Sequence, residues 1–316
     1  MILEKSFPAM GTVNSITIFD AEGPSAASDA REYLLTLNRA WTCFQQDSLI
    51  SQINRSAGRR AVPVDTSTLE ILRRSNSFSE LTHGAFDVTA GPIAALWKEA
   101  MQRGTRPSDK EIWQALGLVD WNDMCLDGDA GTVLLRKPGQ RIDLGGIAKG
   151  YAADGLRQRL RQRGVRRALL NLGGTVAAVG CTTRIGIQDP FRPTGVPMGT
   201  LTLDDRCAIT SGVYERYREI GGQRYHHIID PRTGFPAKSG LVSATLIGED
   251  AAELDALATA SIILGLEESS ALLAARNMEA IFVTDQGRVL ITKGLKREFQ
   301  LLYPANHAVG AEMSVA

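Results

Sequence analysis

Asp255 and Thr259 stand four apart in Ala251-Ala252-Glu253-Leu254-Asp255-Ala256-Leu257-Ala258-Thr259. That spacing puts a carboxylate and a hydroxyl on one face of a helix. Their neighbours are alanine and leucine, so the face packs against the protein body, and a carboxylate taken out of water needs compensation. A hard cation with oxygen ligands supplies it; hydrogen bonds to a core aspartate also do. Two of the four histidines are adjacent in Tyr225-His226-His227-Ile228-Ile229-Asp230-Pro231. On a strand their rings face opposite sides, so they cannot chelate a metal together. A single histidine entering a turn suits a general base, and a solvent-facing strand histidine is the plainer alternative.

A third group is Asp143-Leu144-Gly145-Gly146-Ile147, read as a strand ending in Asp143, a glycine pair and a helix start. Glycines at such a junction let a ligand approach the backbone, and the helix N-terminus offers N–H groups to an anion. A tight turn capped by Asp143 explains the same residues. The segment Gly145-Gly146-Ile147-Ala148-Lys149-Gly150 is neither GxGxxG nor GxxxxGK[ST], and Ile209-Thr210-Ser211-Gly212 is no GxSxG elbow. Dinucleotide-fold, P-loop and hydrolase-elbow readings therefore lack their residues. Three weaker signals remain: Met10-Gly11-Thr12 interrupts a strand as a bulge or a close ligand approach does; residues 44–54 form a polar connection with Phe44 at its start; and Ala85-Phe86-Asp87-Val88-Thr89 precedes a helix, where capping accounts for Asp87 and Thr89.

The elements that must position these residues follow from periodicity. Residues 7–19 read as a first strand, and 26–41, 66–82 and 92–102 as helices, with a loop over 103–109. Two strand-like runs lie at 133–135 and 141–144, a helix at 147–163 ends at Gly164, and a strand at 168–171 leads to Gly173-Gly174. Strands and turns fill 176–247, with a loop marked by Pro190, Pro193 and Pro197 and a tight turn at Asp230-Pro231-Arg232-Thr233-Gly234. Helices at 251–264 and 267–277 precede short strands at 280–283 and 289–292. Helices and strands mix without a βαβ rhythm, and no Pro/Gly/Ser linker divides the chain. One α+β domain, 1–316, is expected.

Composition removes other classes. With Lys+Arg 35 against Asp+Glu 35 and 44% hydrophobic residues, the chain is neither disordered nor marked as a nucleic-acid binder. Cys43, Cys125, Cys181 and Cys207 form no CxxC pair, so they read as buried free thiols. No run of about 18 apolar residues occurs, so no membrane span is expected. The N-terminal residues show no export signal or lipid-anchoring cysteine, and as written the chain reads as cytoplasmic.

Taken together these segments resemble the ApbE family, the FAD:protein FMN transferases. The likeness is carried by Ala9-Met10-Gly11-Thr12, Gly84 through Pro92, Ile142 through Ala152, Asn171-Leu172-Gly173-Gly174, Thr210 through Glu215, His226 through Gly234 and Asp255 through Thr259, in that order over about residues 9–265. The resemblance implies a single mixed α+β domain, mostly antiparallel sheets with packed helices. It implies Mg²⁺-assisted transfer of FMN from FAD to a Ser/Thr hydroxyl of another protein, with release of AMP. Asp255 and Thr259 then resemble Mg²⁺ ligands, completed by the Gly146 carbonyl. Met10, Ala85, Phe86, Asp87, Asp143 and Lys149 resemble FAD contacts, Phe44 stands near a stacking aromatic, and Thr210 and Ser211 line the phosphates. His227 is the expected base, ahead of His226. The implied partner is an acceptor carrying Asp-x-x-[Ser/Thr]-Gly-Ala-[Ser/Thr], a pattern absent here, so modification occurs in trans. Many members are exported, unlike the cytoplasmic reading above. A Mg²⁺-dependent FAD pyrophosphatase and a non-catalytic FAD binder are the alternatives.

Overall fold

The computed structural model describes residues 2–20 and 23–303. Its mixture of helices and antiparallel sheets is the α+β class read from the sequence. The residues group into two compact units, one of 1–35, 149–215 and 238–316, the other of 36–148 and 216–237. The chain passes between them several times, so no single linker marks a boundary in composition.

The first unit is built on an eight-stranded sheet in the order Leu3–Ala9, Thr12–Ile18, Ala168–Leu172, Thr175–Val179, Cys207–Gly212, Leu241–Gly248, Glu279–Thr284, Val289–Ile291. Every neighbouring pair is antiparallel. A three-stranded sheet of Thr182–Gln188, Pro197–Asp204 and Phe299–Leu301 supplies Ile187, Met198, Leu201 and Leu203 to a core shared with Ile247, Ile281 and Val283. The Ala251–Leu264 helix is mostly apolar with no continuous polar face, and twelve of its residues are buried; such a helix belongs to an interior rather than a surface.

The second unit holds helices Leu49–Ser56, Thr66–Leu81, Gly91–Arg103 and Asp109–Leu116, a small sheet, and the hairpin Tyr217–Ile220/Gln223–His226. Its core centres on Ile93, Trp97, Ile112 and Ile229. The Trp97 indole donates to the Gly234 carbonyl at 2.7 Å, and Tyr225 stacks on the same ring system at 5.3 Å. The Asp230–Gly234 turn forms as expected, with the Gly234 N–H bonded to the Asp230 carbonyl at 2.8 Å.

Five readings are corrected. Residues 7–19 are not one interrupted strand. Met10 and Gly11, at φ 53° and 74°, form the two-residue turn of a hairpin, and positive φ at both positions is what the twist of such a hairpin demands. Residues 141–144 form only an isolated bridge from Arg141 to Ala90. The polar connection contains a helix, Leu49–Ser56, capped by Ser48 and burying Ile50 and Ile53. The 103–109 loop is shorter than expected, because Ser108 and Glu111 form a capping box that starts a helix at Asp109. All four thiols are free, but only Cys207 is buried; Cys43, Cys125 and Cys181 are half-buried.

Candidate functional site

In the first unit the Met10-Gly11 turn, the Gly173-Gly174 turn and the end of the Cys207–Gly212 strand lie at one end of the large sheet, as the register requires. Thr210 is tied to this rim by its N–H to the Gly174 carbonyl at 3.1 Å and by a hydroxyl pair with Thr245 at 2.8 Å. Ser211 Oγ lies 3.2 Å from Thr259 Oγ1. Thr259 also donates to the Asp255 carbonyl one turn earlier, at 3.3 Å. Met10, Thr210, Ser211 and Thr259 therefore share one rim, with Met10 roughly 15 Å across the strands from Ser211 at sheet spacing.

Asp255 is 2% exposed, and its compensation is visible. Gly150 N–H donates to Oδ2 at 2.9 Å, and Lys149 Nζ reaches Oδ1 and Oδ2 at 3.3 and 3.4 Å. Gly150 is the third residue of the Ala148–Gln162 helix, so its N–H is one of the four that a helix start leaves open. Asp154 of the same helix returns the arrangement, accepting from Ala251 and Ala252 N–H at 2.9 and 3.0 Å. Each helix thus places a carboxylate on the other's N-terminal N–H groups, where the dipole favours it. The contact is close enough that a Cβ at Gly150 would stand 2.6 Å from the Ala251 carbonyl carbon and 2.8 Å from Ala252 Cα.

In the second unit two candidate segments run side by side. Asp143 N–H donates to the Val88 carbonyl at 2.8 Å. The Asn54 amide clamps both backbone groups of Ile142, at 2.7 and 3.0 Å. Asp143 accepts from Gly145 N–H at 2.8 Å; it caps the glycine turn, and the helix starts five residues later at Ala148. Ala85 and Phe86 are buried, Phe86 edge-on to Phe78, and their backbone N–H groups donate to the Thr82 carbonyl and hydroxyl, both at 3.0 Å. Asp87 Oδ1 accepts from the N–H and hydroxyl of Thr89, both at 2.7 Å. The Gly91–Arg103 helix has no side-chain cap, so Asp87 shapes the preceding turn rather than capping that helix. Burial pushes its carboxyl up to about 6 against these neutral donors. Phe44 is 74% exposed, with the Lys98 ammonium 3.8 Å above its ring centre.

The two histidines divide as the strand pleat requires. His226 is buried, with Nε2 3.0 Å from the Ala237 carbonyl and Nδ1 accepting from Ile228 N–H at 3.3 Å. Burial holds its pKa below the ordinary value and so favours the neutral ring. His227 is half-buried. Its Nδ1 lies 3.2 Å from the Arg216 carbonyl, and its backbone N–H donates to the same oxygen at 3.1 Å. A carbonyl beside Nδ1 places the ring proton there and leaves the basic lone pair on Nε2.

A family model described as the ApbE family matches residues 10–282. The chain belongs to the ApbE family. It is 37% identical over 272 residues to an FAD:protein FMN transferase of Klebsiella pneumoniae (strain 342), covering 86% of this chain and 84% of that protein. It is 32% identical over 316 residues to an FAD:protein FMN transferase of Treponema pallidum (strain Nichols), covering 93% and 87%. The crystal structure of the ApbE protein of Thermotoga maritima matches with a TM-score of 0.87 at 30% identity, over 94% of this chain and all of that one.

For an ApbE-family chain, the donor chemistry at Asp255 fits a hard cation: a carboxylate with hydroxyls of Thr259 and Ser211 next along the rim. Among the described residues no group of three or more His, Cys, Asp or Glu could hold a metal, so any set here draws on hydroxyl or backbone oxygens. Sequence reasoning missed Lys149 as the partner of Asp255, since 106 residues separate them. It also missed Asn54, Asp154 and Arg216. Arg216 alone had a local signal: Gly221-Gly222 between two strand-like runs sets a register that pairs 216 with 227.

Proposed function

We propose that this protein is a Mg²⁺-dependent FAD:protein FMN transferase that modifies a Ser or Thr hydroxyl of another protein. Membership of a family whose relatives are named FAD:protein FMN transferases supports the reading. The observation that carries it is the buried Asp255 carboxylate, with the Thr259 and Ser211 hydroxyls and the Lys149 ammonium gathered beside a glycine-rich rim. Asp255 and Thr259, with the Gly146 carbonyl, would hold the cation, which when bound neutralises charge on the phosphates.

Met10, Phe44, the Ala85–Asp87 segment, Asp143, Lys149, Thr210 and Ser211 would contact FAD, as the family resemblance implies. His227 Nε2 takes the proton of the acceptor hydroxyl as its oxygen attacks the phosphorus of the FMN half. The bond from that phosphorus to the bridging oxygen breaks, and AMP leaves with the oxygen and its electron pair. The product is a phosphodiester, and the imidazolium returns its proton to solvent. The acceptor is expected to carry the Asp-x-x-[Ser/Thr]-Gly-Ala-[Ser/Thr] pattern.

The test is the intact mass of a domain bearing that pattern after incubation with the protein, FAD and Mg²⁺, with AMP release followed in parallel. A mass gain of FMN minus water that requires Mg²⁺ is expected. AMP release without any mass gain on such acceptors would instead identify a pyrophosphatase using water in place of the hydroxyl. Neither signal, with FAD bound, would leave a flavin-binding protein.

A further inference from the structure

The Asp255 carboxylate, assigned above to a metal, already carries one cation, the Lys149 ammonium. The Lys149 ammonium sits 3.3 and 3.4 Å from the two oxygens, longer than the roughly 2.7–2.9 Å of a well-docked charge-assisted pair. It is shared between the oxygens, while the Gly150 N–H holds Oδ2 at 2.9 Å. The Lys149 side chain keeps 21% of its surface against 4% for Asp255, so the lysine is the partly open partner and the carboxylate the closed one. The two helices are tied together there by the bonds of Gly150 N–H to Asp255 and of the Ala251 and Ala252 N–H groups to Asp154. Any exchange at Asp255 is therefore a swing of the flexible lysine stem about a fixed carboxylate.

We propose that Lys149 is a built-in counter-ion of Asp255 that a divalent cation must displace, and that the released ammonium passes to the phosphates of the bound dinucleotide. The inference rests on the FAD and cation reading above and adds an order to it. Metal entering alone displaces a resident cation and binds weakly. A dinucleotide that receives the ammonium favours metal binding, and by linkage the metal favours the dinucleotide to the same degree.

Two measurements test it, both made without turnover. Mg²⁺ is titrated calorimetrically into the FAD-free protein, with Mn²⁺ as a second probe read by electron paramagnetic resonance. Lys149→Met is expected to tighten binding on the order of tenfold, and Lys149→Arg to leave it weak. The second measurement uses the wild-type chain, so it stands even where Lys149→Met fails to fold. Amine labelling followed by peptide mass analysis is expected to rise at Lys149 when Mg²⁺ is added and to fall again when FAD is added with it. Unchanged or weaker Mg²⁺ binding in a folded Lys149→Met protein, or labelling at Lys149 that ignores Mg²⁺, overturns the exchange. Asp255→Asn separates the two levels: Mg²⁺ affinity that survives it removes the metal assignment itself, whereas affinity lost there but unmoved by Lys149→Met removes only the exchange.

Discussion

Asp255 in the first unit and Asp87 in the second are both carboxylates drawn out of water, and they are stabilised by opposite means. Asp255 meets a cation and a helix N–H, on elements 106 and 105 residues away in sequence. Asp87 meets neutral donors, from Thr89 two residues on and from the Trp121 backbone. Hydrogen bonds from neutral groups lessen the cost of burying charge without cancelling it, and Asp87 keeps its proton up to about pH 6 as a result. The difference teaches where strength lies. The Asp255 end depends on long-range packing of two helices, and the Asp87 end on a local turn.

The sharpest way to break that contrast is at Asp255. Asp255→Ala removes the carboxylate that accepts from the Lys149 ammonium and the Gly150 N–H, so loss of turnover is expected together with about 3 kcal/mol of stability. Asp255→Asn keeps an acceptor for Gly150, and is expected to lose turnover for about 1 kcal/mol. Denaturant midpoints and AMP release check both variants. Turnover retained by Asp255→Ala, or a midpoint that does not move, would dissolve the distinction between the two carboxylates.

The histidine pair extends the comparison to a site set by local register. His227→Ala is expected to slow transfer roughly 10²–10⁴-fold, the share of a general base, while flavin fluorescence still reports FAD binding. His226→Leu strands the Ala237 carbonyl and the Ile228 N–H, so about 2–3 kcal/mol of stability is expected to go. A His226→Leu protein of unchanged stability but lost single-turnover rate would exchange the two roles.

The same contrast explains what could be read in the sequence. The Ala251–Leu264 helix was legible to the residue because it is an unbroken run rich in alanine, leucine and isoleucine ending at Gly265. The Asp230–Gly234 turn was legible because Pro231 and Gly234 each act within a few residues. The Asp255–Thr259 spacing pointed to a shared helix face, and that face does gather donors. What compensates Asp255 was not legible, since Lys149 and Gly150 reach it only after two helices pack at a distance that the sequence does not state. The bridge at Arg141 and the clamp by Asn54 escaped for the same reason: each joins segments that carry no local signal of the other. The missed helices at Leu49 and Asp109 are different. Ser48, Ser108 and Glu111 were present as caps, and short apolar stretches with few buried positions hid them.

Asp87 offers the smallest effect and the one that turns on sign. Its folded carboxyl holds a proton to about pH 6, against an ordinary 3.8. Between those values the native state binds more protons than the unfolded chain, so stability falls as pH rises. Raising a carboxyl that far corresponds to about 2–3 kcal/mol, present below about pH 4 and lost above about pH 6. Asp87→Asn keeps an oxygen for both Thr89 donors and cannot ionise. It is expected to match the wild type near pH 4 and to exceed it by about that amount near pH 8. Urea melts across this range decide the matter. Parallel curves for the two proteins would mean that Asp87 is ionised in the native state at low pH, and that neutral donors alone had stabilised the charge as fully as Lys149 and Gly150 do for Asp255.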